Sequence, residues 1–353
     1  MLVLAAMLAA APAHAQIGAV QRGAQKGADI RKAVGDLVFS DEEKREIGLK
    51  ISAQLRERYG VVQDARVTKY VSLVGMTVAR ASKSPSLAWQ FIVLDTDAVN
   101  AYAAPGGVVH ITRGALGVLQ SEAELAGVLG HEIGHITADH TIAAIRKGKL
   151  VELGANATRS QVLDLVANKG YSLVFENAFD RGDEIDADKT SVESAGKAGY
   201  APAALSSFLA ALAERNKNVK EPNGLFASHP LIKERTDRIA KFAKDAKLTS
   251  AATVQARYRT NISYKPIPMS AITTVAAPAA AAEAKPAAKK PGLGASLRDR
   301  ISSGSANQST QVAASAGARG VGPDRDAKGG PNKAVVRVTV TDAELASFKG
   351  GIA

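Results

Sequence analysis

A mainly helical α+β fold, with a small antiparallel sheet packed on one long helix, is what this sequence of 353 residues predicts. Three observations carry the prediction. Apolar residues recur at three- and four-residue spacing through most of the segment 40–246, the period of helices buried on one side. Only short β-branched and aromatic runs interrupt that rhythm. Between them and the later helices lies a helix that carries Gly-His-Glu-Ile-Gly-His at 130–135.

The elements follow in order. "SDEEKREIGLKISAQLRERYG" opens with Ser40 and three acidic residues and stops at Gly60, start and stop signals of a helix. Val67, Tyr70, Val71, Val74 and Val78 line one face of a second helix. "WQFIVLD" at 89–95 and "GGVVHITRG" at 106–114 read as strands, the second approached through Pro105-Gly106-Gly107. Ser121 and Glu124 form an S-x-x-E capping box ahead of a long helix through "LAGVLGHEIGHITADHTIAAI". Further helices are expected at 160–178, 183–197, 202–215 and 231–244, with Leu205, Phe208, Leu209 and Leu212 in register.

Composition bounds the termini. "MLVLAAMLAAAPAHA" is a short apolar run with small residues at Ala13 and Ala15, the pattern of a cleaved export signal, and too short to span a bilayer. The net charge of +11 suggests nucleic acid or an anionic surface at first sight. Its distribution argues otherwise, because residues 250–353 hold 14 Lys/Arg against 6 Asp/Glu and so most of the excess. From about Tyr264 the chain becomes Ala/Pro/Lys-rich, then Gly/Ser/Gln-rich, which reads as a solvated linker and not a nucleic-acid-binding surface. "KAVVRVTVTDAELASFKGG" then returns to an alternating strand and a capped helical turn. No cysteine is present, which removes disulfides, thiolate metal sites and cysteine nucleophiles together.

Helical spacing puts His131 and His135 four apart on one face, where both can bind one ion while Glu132 stands beside them as a base. The five letters alone are also compatible with a helix carrying incidental histidines. Hydrolysis at such a centre needs a third ligand and an open position for water. A third histidine six residues after His135 would fall on Thr141, and His140 is rotated off the face, so it reads as a structural hydrogen-bonding residue. Downstream, Glu184 and Asp188 lie four apart on another helix. One carboxylate can ligate and the next can orient a ligating histidine, although Asp183 and Asp186 lie in the same acidic stretch. His229, fixed ahead of Pro230, and Arg235 are candidates to steady the charge that develops during hydrolysis.

The stretches "VNAYAAPGGVVHITRGAL", "ELAGVLGHEIGHITADH", "DEIDAD" with "AGYAP", and "SHPLIKER" occur in an order that resembles the zinc endopeptidase family of HtpX, BepA, Oma and the CAAX prenyl proteases, in particular its soluble exported bacterial branch. The resemblance covers roughly residues 40–242. It implies a zincin-like metalloprotease domain with one Zn2+ per chain, His131, His135 and Glu184 as ligands, and Glu132 as general base. It further implies Asp188 as the partner of His131, with His229 and Arg235 completing the site. Asn100, Ala101, Tyr102, Gly106, Gly107, Val108 and His110 resemble the family's edge strand, against which an extended substrate adds as a further strand. His110 is read as groove-lining or solvent-facing.

The expected organisation is an export signal at 1–15, a lead-in at 16–39, the metalloprotease domain at 40–246, a linker at 247–330 and a short strand–helix element at 331–353. The expected function is a periplasmic or otherwise exported zinc endopeptidase that cleaves unfolded or misassembled polypeptides in protein quality control. The alternative is a latent protease that acts mainly as a chaperone-like binder. A peripheral association of the basic tail with the envelope membrane is a further expectation.

Overall fold

The computed structural model describes residues 38–147, 158–176, 179–218, 229, 232–272, 274–276, 311–313 and 331–352. The expected export signal and almost all of the lead-in lie outside them.

Helix α1 (Asp41–Tyr59) begins with a complete capping box: Ser40 accepts from the Glu43 amide, and Glu43 accepts from the Ser40 amide. Helix α2 (Ala65–Arg80) is capped by Asp64 and buries the valine stripe read from the sequence. Strands β1 (Gln90–Leu94), β2 (Ala101–Ala104) and β3 (Val108–Thr112) form one sheet in the order β1-β3-β2. The sheet is mixed, not wholly antiparallel: β2 and β3 make a hairpin, whereas β1 runs parallel to β3. The difference arises at residues 95–100, which carry the chain past the β3 position so that β3 returns into the gap. Arg113 pins that connection through ion pairs to Asp95 and Asp97 at 2.9 and 2.7 Å. The hairpin turn needs glycine twice, with φ of 70° at Gly106 and 94° at Gly107.

Alternation along the strands divides the core in two. Phe91, Val93, Ala101, Ala103, Val109 and Ile111 face α2 and helix α4 (Glu122–Thr137), which follows the short α3 (Arg113–Val118). Ile92, Leu94, Tyr102, Ala104 and Val108 face α1, helix α5 (His140–Lys147) and helix α6 (Arg159–Glu176). The sheet is therefore covered on both faces. The long helix expected through Ile145 breaks between α4 and α5, where Asp139 adopts φ 55°. Helical periodicity continues across such a break, so the pattern alone does not reveal it.

Helices α7 (Arg181–Ala198), α8 (Ala204–Arg215) and α9 (Ile232–Asp245) pack on the first layer. The approach of α7 to α4 is main-chain close: a Cβ on Gly134 would lie 2.8 Å from the Ala187 Cα, and one on Gly130 3.1 Å from the Ser191 Cα. Residues 248–264 pack on the core instead of starting the linker, because helix α10 (Gln255–Asn261) inserts Tyr258, whose hydroxyl donates to the Leu116 carbonyl at 2.6 Å. Strands β4 (Thr274–Ala276) and β5 (Gln311–Ala313) form a two-stranded ribbon. Residues 331–341 join no helix or sheet, contrary to the expected strand, and lead into helix α11 (Asp342–Gly350).

Candidate metal centre

Helix α4 starts where Ser121 accepts from the Glu124 amide at 3.1 Å; the Glu124 carboxylate turns back to the Gln120 amide, one residue short of closing the capping box. Further along the helix, His131 and His135 lie about one turn apart on the same face, with their Nε2 atoms 3.1 Å apart. Their other nitrogens are engaged. His131 Nδ1 lies 3.1 Å from Asp188 Oδ1, and His135 Nδ1 lies 2.9 Å from His140 Nδ1. Such outer partners fix which ring nitrogen presents its lone pair inward.

The third donor comes from α7. Glu184 Oε1 is 3.4 Å from His135 Nε2, and Oε2 is 3.6 Å from His131 Nε2. Asp188, one turn later, is held by Arg235 on α9, whose Nη2 donates to Oδ1 at 2.8 Å and whose Nε lies 3.1 Å from Oδ2. His229 completes the group, with Nδ1 2.7 Å from Glu184 Oε1 and 3.2 Å from His131 Nε2. His131, His135, Glu184 and His229 thus form a buried four-donor cluster, each offering an atom within 4.8 Å of the others.

Electrostatics prepare these groups for a cation. Burial, aided by the Arg235 guanidinium, pushes the His131 imidazole down to about 4, and burial holds His135 well below its ordinary value, so both present neutral nitrogen. Burial opposes ionisation of Glu184, but the facing imidazoles of His229 and His131 outweigh it and hold its carboxyl far below the usual range. For Asp188 burial is likewise outweighed, by its contacts to His131 and Arg235, and the carboxyl falls to about 2. Glu132 differs. It is 1% exposed, both its carboxylate oxygens lack a hydrogen-bond partner, and burial pushes it up to about 7.

A divalent ion of zinc's size fits this donor set. Bonds of about 2.0–2.1 Å in a tetrahedron imply donor separations of about 3.3 Å, close to those between the two imidazoles and Glu184. Two neutral imidazoles and an ionised carboxylate are also the right donor chemistry, and Glu184 Oε2 has no hydrogen-bond partner in the protein.

The structure brings together Glu132, His131, His135, Glu184, Asp188, His229 and Arg235. It does not place the seven expected substrate-contacting residues on an open groove. Asn100, Ala101, Tyr102, Gly106, Gly107, Val108 and His110 are all buried. Tyr102 packs in the core shared with α1, α5 and α6, and the Gly106 carbonyl accepts from Arg45 of α1 at 2.9 Å. His110 is not solvent-facing: its Nε2 is 2.9 Å from Ser52 Oγ on α1. Sequence reasoning gave His140 a structural hydrogen bond without finding that its partner is His135. It missed Phe179, which stacks on His135 with ring centroids 4.0 Å apart. No sequence signal ties Phe179 to the site beyond its position just ahead of α7.

Comparison with known proteins agrees with this geometry. The pattern described as Peptidase family M48 matches residues 65–243, about half of the chain. The chain belongs to this family of zinc metalloendopeptidases. The beta-barrel assembly-enhancing protease of Yersinia pestis is 26% identical over 239 residues, 64% of this chain and 49% of that protein. Metalloprotease LoiP of Escherichia coli strain K12 is 29% identical over 152 residues, 40% of this chain and 57% of that protein. The mitochondrial metalloendopeptidase OMA1 of Arabidopsis thaliana is 31% identical over 124 residues, 35% of this chain and 26% of that protein. The M48 chain thus spans about half the length of the first of these relatives. Among the described residues no helix is long and apolar enough to cross a membrane.

Proposed function

We propose that this M48 metalloendopeptidase uses one zinc ion per chain to cleave unfolded or misassembled polypeptides in the cell envelope, after export to the periplasm. The observation that carries the chemistry is the buried Glu132 carboxylate, without a hydrogen-bond partner, beside a ready-made His/His/Glu donor set. In this reading His131, His135 and Glu184 hold the ion, whose Lewis acidity, when bound, serves the scissile carbonyl and the attacking water. Glu132 takes a proton from the attacking water on a carboxylate oxygen and delivers it to the departing amine nitrogen. Asp188 keeps His131 oriented, Arg235 keeps Asp188 in place, and His229 Nε2, 3.8 Å from Glu132 Oε1, faces the developing negative charge. Main-chain pairing of substrate along β2 would ask little of substrate sequence, which suits quality control, and needs the buried strand to be uncovered first.

One observation favours a second reading, a latent enzyme that binds unfolded chains more than it cuts them. His229 Nδ1 lies within the donor set, where a fourth protein ligand closes the position that catalysis requires open. Hydrolysis of casein by the zinc-loaded protein, run beside Glu132→Gln, separates the two. Cutting by wild type alone supports the endopeptidase with Glu132 as base; no cutting by either, with zinc bound to both, favours the latent reading.

A further inference from the structure

The first residue of the metal-bearing helix is a fully buried carboxylate with no role in the chemistry above. Glu122 accepts from the hydroxyls of Tyr70 and Tyr200, each at 2.7 Å, and from Arg257 Nε at 2.7 Å, with Arg257 Nη2 on its other oxygen. A carboxylate at a helix N-terminus is favourable, and four donors compensate its burial. Arg257 is also committed in the opposite direction. Its Nη1 donates to the Phe348 carbonyl at 3.0 Å, and its guanidinium carbon lies 4.0 Å from the centre of the Phe348 ring. The ring of Tyr70 meets the same phenylalanine edge-on at 6.1 Å. A single relay, Phe348–Arg257–Glu122, therefore joins the last helix of the chain to the first turn of α4.

Phe348 belongs to a segment docked along its whole described length. The Asn332 carbonyl accepts from the Val61 amide at 2.6 Å, the Lys333 carbonyl from Arg56 at 2.6 Å, and the Ala334 carbonyl from Gln63 at 3.0 Å. Lys69 meets both the Thr339 carbonyl and Glu344, and Arg80 pairs with Asp342 at 3.2 Å. Ile352 is 3% exposed and lies in the main core against Gly199, where a Cβ would stand 3.3 Å from its Cγ2. Helix α11 itself buries no residue completely, so the two ends of the segment and Phe348 supply its apolar hold. Residues 265–330 separate this segment in sequence from the core elements it grips.

We propose that segment 331–352 is a removable clamp: the surface formed by the end of α1, α2 and α10 is a docking site for the chain's own C-terminus, and its occupation seats the N-terminal turn of α4. Arg257 and Glu122 are positioning residues in this scheme, acting on His131 and His135 only through the helix. The idea extends the reading of α4 as the metal-bearing helix, and its test reads no enzymatic activity, so the two stand or fall separately.

The test uses the full-length chain with a cleavage site for a sequence-specific protease inserted after Leu293. After cutting, the C-terminal fragment is expected to co-elute with the remainder on gel filtration, and Phe348→Ala with Ile352→Ala is expected to release it. In the uncut protein, hydrogen exchange at the Leu125 and Ala126 amides should rise about tenfold in Phe348→Ala while amides of α6 stay unchanged. Should that variant fold poorly, Lys69→Ala removes only the contacts to Thr339 and Glu344 and should give the same pattern more weakly. A wild-type fragment that elutes alone after cutting overturns the docking claim. Exchange unchanged at Leu125 and Ala126, or raised equally in α6, overturns the coupling to α4.

Discussion

Arg235 and Asp188 form a two-point contact with no solvent on either side: the guanidinium is 1% exposed, the carboxylate 0%, and Nη2 and Nε lie 2.8 and 3.1 Å from Oδ1 and Oδ2. The remaining arm, Nη1, is an ion-pair distance of 3.2 Å from Glu184 Oε2. One side chain on α9 thus steadies two carboxylates of α7, Glu184, which would ligate, and Asp188, which would orient a ligand.

Arg235→Met should therefore leave two buried carboxylates short of a cation. Loss of one partner from such a pair costs about 3–5 kcal/mol, and loss of an outer-shell partner weakens metal binding about 10–100-fold. Arg235→Lys keeps the charge without the fork and should recover only part of the loss. Denaturant midpoints and zinc titration against a competing chelator read both quantities.

His229→Ala discriminates the two readings of the site. If the imidazole occupies the position that substrate needs, its removal raises casein turnover while zinc stays bound by the other three residues. If it instead steadies developing charge, turnover falls by about 10²–10³. The measurement is initial rate at matched zinc content.

Metal removal has a predicted thermal signature. A site filled only in the folded chain stabilises it by about 2.7 kcal/mol when free ligand stands at a hundred times Kd. Chelation should lower Tm, and one equivalent of zinc per chain should restore it. No change in Tm on chelation would count against a site built by the fold.

His110 gives a pH dependence with a definite sign. Burial pushes its imidazole down to about 3, against about 6.5 in the unfolded chain. Below about pH 6.5 the unfolded chain gains a proton that the folded chain refuses until about pH 3, so this contribution to stability declines as pH falls through that window. From pH 7 to pH 5 the loss from this group is about 2 kcal/mol. His110→Gln can keep the bond to Ser52 without titrating, and its urea midpoint should fall correspondingly less over that interval. Parallel declines would refute the assignment.

Legibility in the sequence followed the range of the interaction. Ser40 and Ser121 signal helix starts through bonds spanning three residues, and those starts stand in the structure. The spacing of His131 to His135 and of Glu184 to Asp188 fixes each pair on one helix face. Which pair meets which depends on the α4–α7 crossing, and family resemblance supplied that link where periodicity could not. The parallel partnership of β1 with β3, the halt at Asp139 and the docking of Phe348 on Arg257 are set by contacts between distant segments. An alternating run such as 334–340 looks the same whether it joins a ladder or lies alone across a surface.

Gly130 and Gly134 give α4 and α7 something unlike an ordinary side-chain packing surface. Backbone rests on backbone there, so the interval from the histidine pair to Glu184 is measured by the least compressible part of the protein. Rotamer changes in neighbouring residues have little leverage on it. Zinc bonds to oxygen run about 2.0–2.2 Å and calcium bonds about 2.3–2.6 Å, a difference smaller than the width of a methyl group. A gauge set by bare main chain would hold the imidazoles and the carboxylate at the separations a small ion requires, a task that would fall to two residues with no side chain.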